Sequence, residues 1–346
     1  MKRFLLPVFI LIFSELTLFA SGSALSSPVS LRTYFSTPAD NGSYTSIFSN
    51  PASLPFRESD GKDFLLLFRY KDNYSKSLFN SDFPYRFMPA TSSDVVLSFS
   101  GRNMAFTALF ENNIDRSSYS EQPTQADLYS ITHFELDMGY NLSFFSAGIR
   151  ISGGNQLRRT DKQILNLVDY LRNSFLTKFE SFDGGEYFTL GFGALYRDDY
   201  FSFGFYSDRI IYLNDVGSAT SSLTEFLSAL SIGAKAIAPR FTSDGELLFV
   251  RPAFSLLFDN IYSEESRFSA LLSLTMQLLP ESDLIFSLGY SNLRDAQKNG
   301  FFTIDSRYAL LSLEFSMGSY SALITSSIPV DSNKGVDVDL IFRIRI

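Results

Sequence analysis

The chain has 346 residues, a net charge of −8, 37 Phe and 18 Tyr, and neither Cys nor Trp. The absence of cysteine excludes disulfides, thiolate catalysis and a lipid-anchoring cysteine. The acidic balance, spread without long runs of one sign, argues against nucleic acid as a partner, since that binding rests on basic patches.

Residues 1–24 have the make-up of a cleavable secretory signal. Lys2 and Arg3 lead, Phe4 to Phe13 is unbroken apolar sequence, and Ala20 or Ala24 offers a small cleavage residue. The apolar run is too short to cross a bilayer as a helix.

Residues 25–61 differ in character from the remainder of the chain. Pro28, Pro38, Pro51 and Pro55 oppose long helices and regular strands. Phe48, Leu54 and other scattered apolar side chains could still pack inside something. We expect a hatch or plug, with Phe48, Asn50, Pro51, Ala52 and Leu54 as its anchors; a disordered leader is the alternative.

From residue 62 to 346 the dominant signal is alternation with a period of two, the mark of β-strands. It predicts fourteen strands. In 335–346, Val338, Leu340, Phe342 and Ile344 oppose Asp337, Asp339, Ile341, Arg343 and Arg345. In 266–278, Phe268, Ala270, Leu272, Leu274 and Met276 oppose Arg267, Ser269, Ser273 and Thr275. In 143–152, Phe145, Ala147, Ile149 and Ile151 oppose Ser146, Gly148, Arg150 and Ser152. An apolar outer face with a polar inner face is the pattern of a transmembrane β-barrel. The connections agree: long links at 71–93, 112–130 and 153–184 alternate with short ones at 101–102, 141–142 and 197–198. The expected fold is therefore an all-β antiparallel barrel in the outer membrane of a diderm bacterium. Both termini should lie at the end with the short turns. Pro252, inside the strand predicted at 245–258, should mark a bulge or kink.

Within the long link after 152, Ile164, Leu167, Val168, Leu171 and Phe175 recur at helical spacing, with Asp161 as a candidate cap. This stripe either packs on the barrel rim or forms one wall of an apolar capture groove. Phe249, on a predicted inner face with Phe144, Leu247 and Ile285, joins it as a candidate ligand contact.

A Ser/Pro-rich lead, the motif Asn50-Pro51-Ala52-Ser53-Leu54 just before the first strand, fourteen strands and a helical third outer loop together resemble a known family. It is the long-chain fatty-acid transporter family of outer-membrane barrels (the FadL type). The resemblance implies that the motif lies in a hatch plugging the barrel and that the helical loop forms the first ligand groove. It implies uptake of hydrophobic small molecules such as long-chain fatty acids. The implied partners are outer-membrane lipid, that ligand, and the barrel-assembly machinery during insertion.

Catalytic chemistry finds little support. His133 is the sole histidine and shares a predicted face with Glu135 and Asp137. A metal site would need more ligands at tighter spacing, so His133 reads as a structural residue of the lumen. No Gly-x-Ser-x-Gly elbow or phosphate-binding glycine loop occurs. We expect no enzyme, cofactor or metal. The inward charges Glu135, Asp137, Arg150, Asp337, Asp339, Arg343 and Arg345 should pair across strands and partly fill the interior. Alternatives to transport are a surface barrel that binds a protein partner and a general diffusion porin.

Overall fold

Outward apolar and inward polar side chains leave each strand needing neighbours on both edges. Lipid offers no hydrogen bonds, so the sheet must close on itself. The computed structural model describes residues 37–40, 44–56, 62–72, 91–115, 126–161, 183–214, 219–220, 226–227, 229–242, 249–260, 265–279, 282–295, 306–330 and 336–346. Fourteen long strands form one antiparallel wall. They are β1 (Asp63–Asp72), β2 (Thr91–Ser100), β3 (Met104–Asp115), β4 (Ala126–Leu142), β5 (Phe145–Asp161), β6 (Asp183–Arg197) and β7 (Phe201–Asn214). β8 (Ser231–Ile237), β9 (Phe249–Asp259), β10 (Glu265–Leu279), β11 (Ser282–Asp295), β12 (Ser306–Met317), β13 (Tyr320–Pro329) and β14 (Asp337–Arg345) complete it. Two-residue pieces at Ala219–Thr220 and Phe241–Thr242 extend the edges of β7 and β9.

Each strand pairs with its sequence neighbours, and β14 pairs with β1 over Asp63↔Arg345 to Lys71↔Asp337. Lys62 N donates to Ile346 O (3.3 Å) and Ile346 N to Lys62 O (2.8 Å), zipping this seam to its lower end. The barrel is closed, with both of its ends at the short turns.

The faces separate as the alternation requires. Phe68, Phe99, Phe134, Phe286, Leu313 and Phe342 stand exposed on the outside, at 40–56 % of their full area, where lipid replaces water. Inside, hydroxyls pair across neighbouring strands: Thr107 with Ser98 (2.9 Å), Ser152 with Thr189 (2.5 Å), Ser269 with Ser291 (2.8 Å) and Ser287 with Ser273 (3.0 Å). Such cross-strand pairs stabilise a sheet by a few tenths of a kcal/mol to about 1 kcal/mol each. At the turn between β6 and β7, Tyr200 N and Phe201 N both donate to Asp198 Oδ1 (2.8 and 2.7 Å). These bonds hold the exposed Asp198 carboxyl below its usual range.

Several expectations need correction. Pro252 makes no bulge: it pairs in register with Leu274. On its other side the ladder with β8 begins only at Ala253↔Ile237, so the missing N–H falls where pairing stops. The register shifts lie instead at Leu190/Phe192 and Gln277/Leu279. Phe144 is not an inner residue; it sits in the β4–β5 turn, 63 % exposed, beside Ser143 at φ 76°. Asp161 is the last residue of β5, and the helix expected after it lies outside the described residues. The strands predicted at 227–238 and 245–258 begin later, at Ser231 and Phe249. β4 and β5 run well beyond 131–140 and 143–152.

Candidate functional site: the occupied lumen

Residues 37–40 and 44–56 precede β1 and lie against the inner wall. Two short 3-10 helices, Tyr44–Phe48 and Pro51–Phe56, suit the prolines, which supply a fixed φ and need no donor in a first turn. Asn50 joins them. Its Oδ1 accepts from Ala52 N (3.0 Å), while its Nδ2 reaches Pro38 O (2.9 Å), Ala194 O (3.2 Å) and Phe205 O (3.3 Å). One side chain thus ties both halves of the segment to β6 and β7.

The wall beneath is stripped of side chains. Gly139, Gly148 and Gly193 are direct cross-strand partners on β4, β5 and β6, and Gly204 pairs with Gly233 on β7 and β8. A Cβ at Gly139 would stand 2.7 Å from Pro55 Cδ and 2.8 Å from Pro51 O. At Gly148 it would meet the Pro51 carbonyl carbon at 2.5 Å, and at Gly193 and Gly204 it would overlap Asn50 and Pro38. These glycines form a trough in which backbone lies on backbone. Around it, Ser146 Oγ donates to Ala52 O, Ser202 Oγ to Ala39 O (2.7 Å) and Arg197 to Phe56 O (3.0 Å). Lys235 pairs with Asp40 at 2.9 Å.

Beside the trough lies a buried charge cluster. Arg150 forks onto Asp137, with Nε at 2.7 Å and a terminal nitrogen at 2.9 Å. Its other terminal nitrogen lies 3.5 Å from Glu135 and 3.4 Å from Phe48 O. Glu135 Oε1 lies 3.0 Å from His133 Nε2, and His133 Nδ1 lies 2.5 Å from the Tyr187 hydroxyl. The Arg150 guanidinium also faces the Tyr206 ring at 5.2 Å.

The opposite side of the segment is apolar. Phe48 and Leu54 share a buried cluster with Leu65, Leu67, Val96, Ala105, Leu109, Leu323 and Ile341. Five of these form one unbroken cross-strand row: Leu323↔Ile341↔Leu67↔Val96↔Leu109, from β13 across the seam to β3. The row's next partners are Glu314 at one end and His133 at the other. One inner row outward, Arg69 pairs with Asp339 at 2.9 Å, and Thr325 donates to that same Asp339 (3.2 Å).

Comparisons complete this geometry. No family model and no curated protein matches the chain. Among solved structures, the TodX deltaS2S3 mutant, a monoaromatic hydrocarbon channel, aligns at a TM-score of 0.50 and 10 % identity, covering 88 % of this chain and 94 % of that one. The Ralstonia pickettii toluene transporter TbuX and a Pseudomonas aeruginosa FadL homologue each align at 0.45 and 10 % identity, over 89 % of this chain and 95 % and 94 % of theirs. The chain has the fold of a FadL-type outer-membrane barrel.

Inside the barrel, all five anchors named from the sequence (Phe48, Asn50, Pro51, Ala52 and Leu54) are buried against the inner wall. Of the seven inward charges, Glu135, Asp137 and Arg150 come together. Asp339, Arg343 and Arg345 stand on the inner face of β14, with Asp337 half-buried at its upper end. Arg345 lies 3.4 Å from Asp63. Sequence reasoning missed Arg69 and Asp63. Their strand reads apolar on both faces, Leu65 and Leu67 against Phe64, Leu66 and Phe68, so no polar stripe marks the inside. It also missed the glycine trough, although glycines recurring close to the short turns in successive strands were a visible signal. Phe249 starts β9 at the short-turn end, with the Arg240 guanidinium 4.6 Å above its ring. It does not share an end with the link after β5. Ile164, Leu167, Val168, Leu171 and Phe175 lie outside the described residues.

Proposed function

We propose that the protein carries hydrophobic small molecules, such as long-chain fatty acids, across the outer membrane through a gated lumen. Residues 1–24 serve as the signal, 25–61 as the hatch and 62–346 as the barrel. The observation that carries this reading is the lead segment lying inside a closed wall whose glycines are shaped to its backbone. Support for an apolar cargo comes from the row Leu323, Ile341, Leu67, Val96 and Leu109 on the inner wall, with Leu65 beside it in the same apolar cluster. A structurally similar barrel being a monoaromatic hydrocarbon channel accords with it. The stripe Ile164, Leu167, Val168, Leu171 and Phe175 supplies the capture-groove residues at the long-link end, and Phe249 is a separate ligand contact at the short-turn end. Outer-membrane lipid surrounds the wall, and the barrel-assembly machinery inserts it. The test is deletion of residues 26–58. The barrel should still fold, with heat-modifiable migration on gels. Its leak to small sugars in liposome swelling should rise, and protein-dependent accumulation of labelled oleate or toluene should lose its saturation. Unchanged permeability would remove the hatch from the mechanism.

A further inference from the structure

The short-turn end of β8 and β9 gathers positive charge without the carboxylates that accompany it elsewhere. Higher on the inner wall cations meet anions: Arg69 with Asp339, Arg267 with Asp259 and Lys235 with Asp40. Arg240 and Arg251 differ. Among the described residues, neither has an acidic side chain within ion-pair distance. Neutral groups hold them instead. Arg251 donates from Nε to Ala238 O (3.3 Å) and from a terminal nitrogen to Asp199 O (3.2 Å). Arg240 is exposed and lies 4.6 Å over the Phe249 ring, a contact that uses the face of the cation and leaves its N–H edge unspent. The acidic turn Asp198-Asp199 gives Arg251 a backbone carbonyl, while the Asp198 carboxyl is taken by Tyr200 N and Phe201 N.

The two cations are neighbours. Phe241 pairs with Val250 and Thr242 with Phe249, so Arg240 stands beside the strand end that carries Arg251. Phe249 and Arg251 share a face two residues apart, roughly 7 Å. Arg251 alone suffices to tie the β6–β7 turn to the end of β8. Arg240 beside it adds repulsion and no hydrogen bond within the wall. An anion between them reverses the sign of that effect, and the in-plane donors of a guanidinium match the paired oxygens of a carboxylate or phosphate.

We propose that Arg240 and Arg251, with the Phe249 ring beneath, form an oxyanion site at the lower mouth that takes the carboxylate or phosphate head of an amphiphile. The site goes beyond the transport reading, since binding there is measured without transport. Two amphiphiles present such a head at this depth. One is a cargo molecule leaving the lumen. The other is a phospholipid of the surrounding leaflet, because Phe241, next to Arg240, is 60 % exposed on the outer face.

The full chain in neutral detergent provides the test. Phenylglyoxal modifies guanidinium groups, and mass spectrometry of the resulting peptides reads each arginine separately. Modification of Arg240 should slow by about tenfold or more with saturating decanoate or inorganic phosphate, and stay unchanged with decanol. Arg102, exposed in the β2–β3 turn, is the control and should react at one rate throughout. Arg251→Gln should abolish the protection of Arg240 while the heat-modifiable gel shift persists. If that variant does not fold, Arg240→Gln read at Arg251 answers the same question. Absence of protection by both oxyanions, or equal protection of Arg102, overturns the inference. So does protection that emerges only in Asp244→Asn with Glu246→Gln, because the chain's own acids then fill the site. Phosphatidylcholine bilayers separate the two sources. Protection by added decanoate identifies the cargo head; protection by phosphatidylglycerol without decanoate identifies the lipid; either places an oxyanion at the arginines. Neither readout depends on uptake, so a failed transport assay leaves the site standing, and absent protection leaves transport standing.

Discussion

Gly148→Ala tests how the lead segment is seated. The new methyl would stand 2.5 Å from the Pro51 carbonyl carbon and 2.9 Å from its oxygen, where ordinary contact needs well over 3 Å. Both neighbours are backbone, so no side chain can swing away. β5 cannot retreat either, because it is hydrogen-bonded to β4 and β6 along its whole inner stretch. The strain must fall on the segment. Overpacking of this kind costs about 1–3 kcal/mol, which raises the unseated-to-seated ratio by roughly 5- to 150-fold. Liposome swelling with small sugars should quicken accordingly, and residues near Pro51 should become open to added protease. The heat-modifiable gel shift of the barrel should persist. Gly101→Ala is the control, since the nearest atom to a Cβ there is 4.0 Å away. A Gly148→Ala protein with native leak and full protease protection would refute the trough as the seat.

The charge cluster and the outer link are each open to a direct test. Arg150→Leu leaves Asp137 and Glu135 buried without their cation, and should lower stability by about 3–5 kcal/mol in urea titration. Arg150→Lys should recover only part of that, because an ammonium cannot reproduce the fork onto Asp137. Leu167→Asp with Leu171→Asp should weaken apolar-ligand binding by about tenfold or more if that stripe is the capture groove, each lost leucine contact being worth about 1.5–3 kcal/mol. Normal binding would remove the stripe from the mechanism.

How far the sequence went depended on where along the strand each residue lies. At bilayer depth the two faces meet different media, so Phe268, Leu272 and Leu274 against Arg267, Ser269 and Ser273 announced both strand and orientation. Gly153 to Asp161 shows no apolar–polar contrast in the sequence, so the upper half of β5 reads as loop. Asn50-Pro51-Ala52 marked the lead segment, but nothing local told where it would sit. That depends on Gly139, Gly148, Gly193, Gly204 and Gly233, which are distant in sequence and adjacent only through register. The strip from Leu323 to Leu109 was hidden for the same reason. Its five members come one to a strand, and no single strand looks unusual for carrying one.

The seam between β1 and β14 has a consequence for biogenesis. The contact of Lys62 with Ile346 joins residues nearly a whole chain apart, so no shorter intermediate can satisfy the two edge strands, and a wall that lacks β14 would hold unpaired amides at membrane depth. The lead segment ends only a few residues before β1. It is thus tethered at the lower mouth, beside the last gap to shut. Either it is drawn inside while that gap is open, or it threads in afterwards from the same mouth with its free end leading. In both cases the order of events is topological: the wall can be finished without its contents, but the contents cannot be anchored until β4 to β8 have found their register.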